Sequence, residues 1–354
     1  MRLKTLFTSA TAVAALATMA FTGMTASGVT SASAQSTLEN IKKRGHVRCQ
    51  VGQPSPGYYN LDAKGEWYGL DVVTCQAVTA AIFGDTKQLE IQSVSSQMRF
   101  TALANGDSDL LSRTATWTMS RDTQLGIDFL KPNFYDGQGF TVRKDSGITS
   151  ALQLKGAKVC VTSGTTTELN LADYSRANDL NISAVTFEDF NVRDETYLNG
   201  GCDATTGDKS SNAANVAAFP VPADHIILPE TLSKEPLAPA VRHGDNQWRD
   251  IVSWTMFAMI NAEELGVTRA NVDEMRAKSD NVNIRRMLGV EGNLHEGLGL
   301  TKDWAYNIIK TVGNYGENYE KYMGDGEFGI GIPRAGSANA LWTEGGMMYS
   351  PPMR

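Results

Sequence analysis

Histidine and cysteine are scarce, with four of each in 354 residues. Cys49, Cys75, Cys160 and Cys202 contain no C-x-x-C pair, and His46, His225, His243 and His295 share no metal-ligand spacing. That removes the usual thiolate and imidazole metal sites. Asp62, Asp71 and the other scattered carboxylates lack calcium-loop spacing. No G-x-S-x-G and no S-x-x-K occurs, so Ser279-Asp280-Asn281 has no nucleophile to serve. Gly324-Asp325-Gly326-Glu327-Phe328-Gly329 fits G-x-G-x-x-G, but it follows a helical pattern and leaves too little chain for a βαβ unit. No cofactor and no metal is expected. An excess of positive charge is also lacking: the net charge is -7. This argues against a nucleic-acid partner and gives no reason for adsorption to an anionic membrane. Beyond the first 34 residues, no run is apolar and long enough to span a bilayer.

What is present begins with a leader. Arg2 and Lys4 precede an apolar run from Leu6 to Phe21, and Ala32-Ser33-Ala34 has the small-x-small form of a cleavage site. Residues 1–34 read as a secretory signal peptide, with the mature chain starting near Gln35 and lying in the periplasm. No cysteine follows the apolar run closely, so a lipid anchor is not expected. An even cysteine count in an oxidising compartment suggests two disulfides, against the alternative of four buried thiols. Sequence allows three pairings. Cys49 with Cys75 and Cys160 with Cys202 is favoured, because each pair then falls within one lobe of the architecture that follows.

The remaining length allows roughly two domains of about 150 residues. From 46 to 111 the chain reads strand, helix, strand, helix, strand, with Asp71 expected to cap the helix that Gly84 ends. From 158 to 205 the same alternation returns. This is the grammar of a mostly parallel sheet flanked by helices. Extended segments at 141–144 and 237–242 are expected to be two crossovers between the lobes. Helices then follow over 248–265, 269–278, 283–288, 304–312 and 315–322. Residues 324–354, rich in Gly and Pro, read as an irregular arm on the first lobe.

The halves echo each other. Asn105-Gly106-Asp107-Ser108-Asp109 and Asn199-Gly200-Gly201-Cys202-Asp203 share Asn-Gly-x-x-Asp. Five residues after each final Asp stands a candidate ligand group: Thr114 in the first half, Asp208 in the second. Ligands of open α/β sheets bind beyond the carboxyl ends of the strands. The stretch from Leu111 to Arg121 ends an apolar strand, passes through close-set hydroxyls and closes on an arginine. A guanidinium fork matches a carboxylate, and hydroxyls supply further partners. The stretch reads either as a carboxylate clamp or as a polar loop with Ser120 capping a helix.

Several motifs together carry a family resemblance: Gly65-Glu66-Trp67-Tyr68-Gly69-Leu70-Asp71, Phe100-Thr101-Ala102-Leu103 through Asp109, and Trp117-Thr118-Met119-Ser120-Arg121-Asp122. Tyr135-Asp136-Gly137-Gln138-Gly139-Phe140, Ser163-Gly164-Thr165-Thr166-Thr167-Glu168 and Asn314-Tyr315-Gly316-Glu317 extend it. With them, the mature chain resembles the periplasmic amino-acid-binding proteins of ABC importers, solute-binding protein family 3, and within it the general L-amino-acid subgroup. The resemblance implies an α/β, two-lobed periplasmic-binding-protein fold, each lobe a mostly parallel sheet flanked by helices, joined by a two-segment hinge. Lobe 1 is expected over 35–141 and 243–354, and lobe 2 over 142–242.

The resemblance further implies that Arg121 binds the ligand α-carboxylate, helped by Thr114, Thr116 and, from the second lobe, Thr166. Asp208 is implied to hold the α-ammonium, and an aromatic at or near Tyr58 to line the side-chain pocket. The subgroup usually has Asn-Thr-Thr where this chain has Thr114-Ala115-Thr116. Arg113 lies near the clamp and is read either as attracting an acidic side chain, glutamate or aspartate first, or as a structural ion pair in the wall. The partners expected are a free L-amino acid and an inner-membrane ABC permease, with the protein itself a monomer. A competing class is an enzyme on the same scaffold, of the cyclohexadienyl-dehydratase kind, but no His or Glu stands at the motif positions to act as its acid or base.

Overall fold

A computed structural model describes residues 36–354. The expected leader, 1–34, lies outside the described residues. In chain order the strands are β1 (Val47–Val51), β2 (Asn60–Leu61), β3 (Trp67–Tyr68), β4 (Leu89–Ser93), β5 (Leu110–Leu111), β6 (Ile127–Phe129) and β7 (Phe134–Asp136). They continue as β8 (Gln138–Arg143), β9 (Lys158–Thr162), β10 (Ser183–Phe187), β11 (Ala204–Asp208), β12 (His225–Ile227), β13 (Glu235–Leu237) and β14 (Ala240–Arg242). The helices are α1 (Thr37–Arg44), α2 (Leu70–Phe83), α3 (Arg99–Asn105), α4 (Met119–Gln124), α5 (Thr166–Ala177), α6 (Phe190–Leu198) and α7 (Lys209–Ala218). Then come α8 (Asn246–Glu264), α9 (Val272–Lys278), α10 (Val282–Met287), α11 (Leu294–Leu298), α12 (Trp304–Val312) and α13 (Tyr315–Tyr322).

Two five-stranded sheets result, ordered β4-β1-β5-β14-β6 and β10-β9-β11-β8-β12. In each, three strands are parallel and the fourth runs antiparallel to the third. The first sheet carries α2, α8, α12 and α13 in a large apolar core that also takes in Leu341, Met348 and Met353 of the arm. The second has a smaller core around Phe140, Val159, Val161 and Leu171. The arm is held by Arg334, whose guanidinium pairs with Glu263 and lies over the Tyr315 and Tyr319 rings.

The Asn-Gly-x-x-Asp echo is a structural repeat. Asp109 accepts from the Arg48 amide through Oδ2 at 2.8 Å, and its own amide donates back to the Arg48 carbonyl at 2.9 Å. Asp203 does the same with Lys158, at 2.7 and 2.8 Å. An arginine from the antiparallel neighbour completes each copy. Arg242 donates to the Leu103 and Ser108 carbonyls, and Arg143 to those of Tyr197 and Cys202. Counted from the Asn and the Asp, these are the same two positions in each half. Gly106 and Gly200 turn the chain with φ of +86° and +79°, a conformation that favours glycine.

The sheets are joined at β7 and β13, which pair antiparallel with Glu235 opposite Asp136 and Leu237 opposite Phe134. The crossovers therefore fall earlier than expected on one strand and at the start of the other. Gln138–Arg143 lies wholly in the second sheet, so the boundary at 141/142 moves to 136–138. Ala240–Arg242 belongs to the first sheet, so the boundary at 242/243 moves to about 235. The disulfides are Cys49–Cys75, tying β1 to α2, and Cys160–Cys202, tying β9 to the turn before β11. Asp71 does not cap α2. Gly69 does, with φ +129° and no room for a Cβ, which would sit 2.3 Å from the Tyr58 carbonyl oxygen. Helices α7 and α11 were not expected. Among the described residues no helix is long and apolar enough to cross a membrane.

Candidate ligand-binding cleft

Between the sheets lies a cleft lined by Thr114, Thr116, Arg113 and Arg121 from the first lobe and by Thr166 and Asp208 from the second. Six of the seven residues expected at the ligand are thus brought together. The seventh, Tyr58, is not at the cleft wall. Its hydroxyl is buried against Ser210 Oγ at 2.6 Å, and its ring packs edge-on to Phe134. Tyr59 lines the cleft instead, its hydroxyl 2.9 Å from Thr114 Oγ1. Ser55 pairs with Tyr59 in an isolated bridge, which turns the second tyrosine inward.

Arg121 stands in α4, whose N-cap is Thr118 rather than Ser120: Thr118 Oγ1 accepts from the Arg121 amide at 3.3 Å. The guanidinium donates to the Thr116 carbonyl at 2.9 Å and lies over the Phe100 ring. Burial pushes its pKa down to about 10, opposed by the negative charges of Glu235 and Asp208. It remains a cation at neutral pH. Arg113 is buried and donates to Ser96 Oγ at 3.2 Å, while its Nε has no partner. Beside it, buried Arg99 donates to the Ser96 carbonyl and, across the cleft, to the Gly164 carbonyl at 3.2 Å; its Nε too is unpartnered. Burial and then the charges of Arg113 and Arg121 hold the Arg99 pKa well down. Among the described residues no carboxylate forms an ion pair with Arg99, Arg113 or Arg121, so Arg113 is not the wall ion pair that was the alternative. Arg193, on the second-lobe wall, is paired with Asp194 at 2.7 Å.

Asp208 ends β11 and stands at the N-cap of α7, but its side chain bonds none of the helix amides, and no hydrogen bond among the described residues reaches its carboxylate. Burial, then the charges of Asp136 and Glu235, raise its pKa well above the ordinary aspartate value; Arg121 and Arg193 pull the other way. Asp136 is satisfied differently, accepting from the Gly137 amide at 2.7 Å and from both the amide and hydroxyl of Ser210. The arrangement leaves three buried or half-buried cations without counter-ions and one carboxylate without donors, all on one cavity. A charge without a partner in a low-dielectric site costs several kcal/mol. The wall is complementary to a molecule with anionic groups at one end and an ammonium at the other.

Thr116 and Thr166 carry a surprise. Their hydroxyls, 3.2 Å apart from opposite lobes, both reach Glu235 Oε2, at 2.5 and 2.9 Å. Sequence reading missed Glu235 and Arg99, and it named Tyr58 where the neighbouring Tyr59 lines the cleft. Arg99 had a signal, one residue before the Phe100-Thr101-Ala102-Leu103 motif. Glu235 had none, lying in a proline-bearing stretch.

Two sheets hinged at paired crossovers, with a charged cleft between them, define a two-lobed solute-binding protein. The sequence matches the family described as bacterial extracellular solute-binding proteins, family 3, over residues 47–269. The chain belongs to that family. It is 50% identical over 326 residues to the general L-amino acid-binding periplasmic protein AapJ of Rhizobium johnstonii, covering 92% of this chain and 94% of that one. It is 46% identical over 326 residues to the glutamate/glutamine/aspartate/asparagine-binding protein BztA of Rhodobacter capsulatus, covering 92% and 96%. Among solved structures it is similar to an ABC transporter periplasmic binding protein from Brucella ovis with glutathione bound. The TM-score is 0.86 and the identity 48%, over 90% of this chain and 99% of that one.

Proposed function

We propose that this protein is an exported, periplasmic receptor that captures free L-amino acids, with acidic ones among the preferred, and hands them to an ABC permease without chemical change. Arg121 takes the α-carboxylate and Asp208 the α-ammonium. Arg99 and Arg113 take a side-chain carboxylate. The observation that carries the reading is the set of uncompensated charges on one cleft, guanidinium groups on the first lobe and Asp208 on the second. A charge-assisted hydrogen bond contributes about 1.5–3 kcal/mol net, so a few of them, less the ordering cost, reach the ~8 kcal/mol of micromolar binding. Because the two poles are met by different lobes, ligand favours the closed form, and that difference between states is what a permease would read. The relatives named for amino-acid binding support the reading.

The test is a thermal-shift screen of the twenty common amino acids followed by calorimetry. Glutamate and aspartate should give the largest shifts, with neutral polar residues following. Absence of any shift overturns the reading. Glutathione belongs in the same screen, because it occupies a structure similar to this one. Its glutamyl end offers the same free ammonium and carboxylate.

A further inference from the structure

Glu235 is the first residue of β13, at the seam between the lobes, and is only 1% exposed. Its Oε2 accepts the Thr116 hydroxyl from the first lobe and the Thr166 hydroxyl from the second. Its Oε1 accepts Asn170 Nδ2 at 2.9 Å and the Ser233 hydroxyl. A carboxylate offers about four lone-pair sites, and here four neutral donors fill them. No Lys, Arg or His forms an ion pair with it among the described residues. A threonine hydroxyl has one proton to give. Thr116 and Thr166 aim theirs at Glu235, so neither is left to donate to a ligand carboxylate, the role the family resemblance implied.

The strand that carries Glu235 is tied to the first lobe beside Thr116: the Trp117 amide donates to the Pro236 carbonyl at 2.9 Å and the Ala238 amide to the Ala115 carbonyl at 3.0 Å. Of the four donors, Thr166 and Asn170 stand on α5 of the second lobe. Opening across β7 and β13 therefore parts Thr166 and Asn170 from the carboxylate. Other contacts also cross between the lobes: Gln53 to Asp189 at 2.7 Å, Gln97 to Ser163 at 2.9 Å, Arg99 to the Gly164 carbonyl at 3.2 Å and, buried, Tyr58 to Ser210 at 2.6 Å. The first three lie at exposed or part-buried positions, where water replaces a lost partner at little cost, and the Tyr58–Ser210 bond joins two neutral hydroxyls. The Thr166 and Asn170 bonds end on a carboxylate that is itself buried, the case in which a hydrogen bond contributes most.

We propose that Glu235 is a positioning residue that latches the two lobes shut through Thr166 and Asn170, holding part of the population closed before ligand arrives. This rests on the reading that the cleft closes on a ligand. It adds that closure is biased by a carboxylate belonging to the protein itself. A protein whose competent state is partly populated binds more tightly than one that must close from fully open, in proportion to that fraction.

The experiment is single-molecule FRET on ligand-free protein, with dyes on unnatural residues at the exposed positions Lys87 and Arg176, one on each lobe. Thr166→Val keeps the shape and the backbone and removes the hydroxyl. Glu235→Gln keeps the shape and removes the charge. Each should lower the closed-to-open ratio by about tenfold, and the double variant should be no worse than the stronger single one, since both break one bond. Ligand dissociation, measured with glutamate, should quicken by a similar factor in Thr166→Val. An unchanged ratio in Thr166→Val, or additive effects in the double variant, overturns the latch. The FRET arm contains no ligand, so a wild type that binds no amino acid refutes the functional reading and leaves the latch to be decided by the FRET histograms.

Discussion

Arg121 and Asp208 face one cleft from opposite lobes, attract each other electrostatically and yet form no ion pair among the described residues. Each is held short of its natural partner by the space between the sheets. A zwitterion placed there satisfies both at once, and a molecule with one pole satisfies neither lobe fully. Arg121→Ala and Asp208→Asn should each weaken amino-acid binding in calorimetry by at least a hundredfold, since each removes a charge-assisted contact and leaves the ligand's pole buried without a partner. Circular dichroism and melting should stay near wild type, because neither side chain supports a core. A variant that keeps wild-type affinity would remove that residue from the ligand.

The half-buried carboxylate of Asp208 gives binding a pH dependence with a defined sign. In the ligand-free fold the Asp208 pKa is raised above its unfolded value by burial, with Asp136 and Glu235 adding repulsion and Arg121 and Arg193 opposing it. The folded state therefore holds the proton over a range where the unfolded chain has lost it. That contribution to stability is full below about pH 4, the unfolded value, and is lost as pH rises through the raised folded value. A ligand ammonium favours the ionised carboxylate, so binding should release protons, and tighten with rising pH, as pH climbs from the ordinary aspartate value towards the raised folded one. Calorimetry in two buffers of different ionisation enthalpy reads the protons released. Asp208→Asn should abolish most of that release and flatten the stability difference from wild type. Net proton uptake in the wild type would contradict the assignment.

How much of this was legible in the sequence depended on how local the signal was. The Asn-Gly-x-x-Asp turns sit on local turn chemistry, so the repeat could be read and Thr114 and Asp208 placed at equivalent strand ends. The disulfide pairing followed from the same division into lobes. The tyrosine was missed by one position because adjacent residues in extended chain point to opposite sides, and only the Ser55–Tyr59 bridge decides which faces the cleft. The lobe boundary was misplaced because β7 passes into β8 with Gly137 alone between them, leaving no turn to mark the change of sheet. A Cβ at Gly137 would meet Thr231 Cγ2 at 2.3 Å, so the glycine answers a contact about a hundred residues away. Glu235 acquires its role only when both lobes are folded and closed, and nothing in its neighbourhood announces that.

Thr114 has φ +38°, the left-handed region that a β-branched residue enters at a cost of roughly 1–2 kcal/mol. Three bonds hold it there or brace what holds it. Its amide donates to Asp71 Oδ2 at 2.8 Å, and Asp71 Oδ1 in turn accepts Asn133 Nδ2 at 2.6 Å and the Ser112 hydroxyl at 3.2 Å. Burial raises the Asp71 pKa, and these three donors offset part of the rise. Asparagine tolerates the left-handed region and keeps a polar group toward Tyr59. Thr114→Asn should therefore raise the melting temperature by roughly 1–3 °C, consistent with relief of up to about 1 kcal/mol in a chain of this size. Asp71→Asn should do the reverse, since an amide has one acceptor oxygen where the carboxylate has two, and one buried donor is left facing an N–H at a cost of about 1–3 kcal/mol. It should also weaken ligand binding although Asp71 does not line the cleft, because the Thr114 amide it fixes carries the first-lobe wall. Differential scanning fluorimetry with and without glutamate separates the two effects. A Thr114→Asn variant that melts lower than wild type would show that the Thr114–Tyr59 hydroxyl contact outweighs the backbone strain.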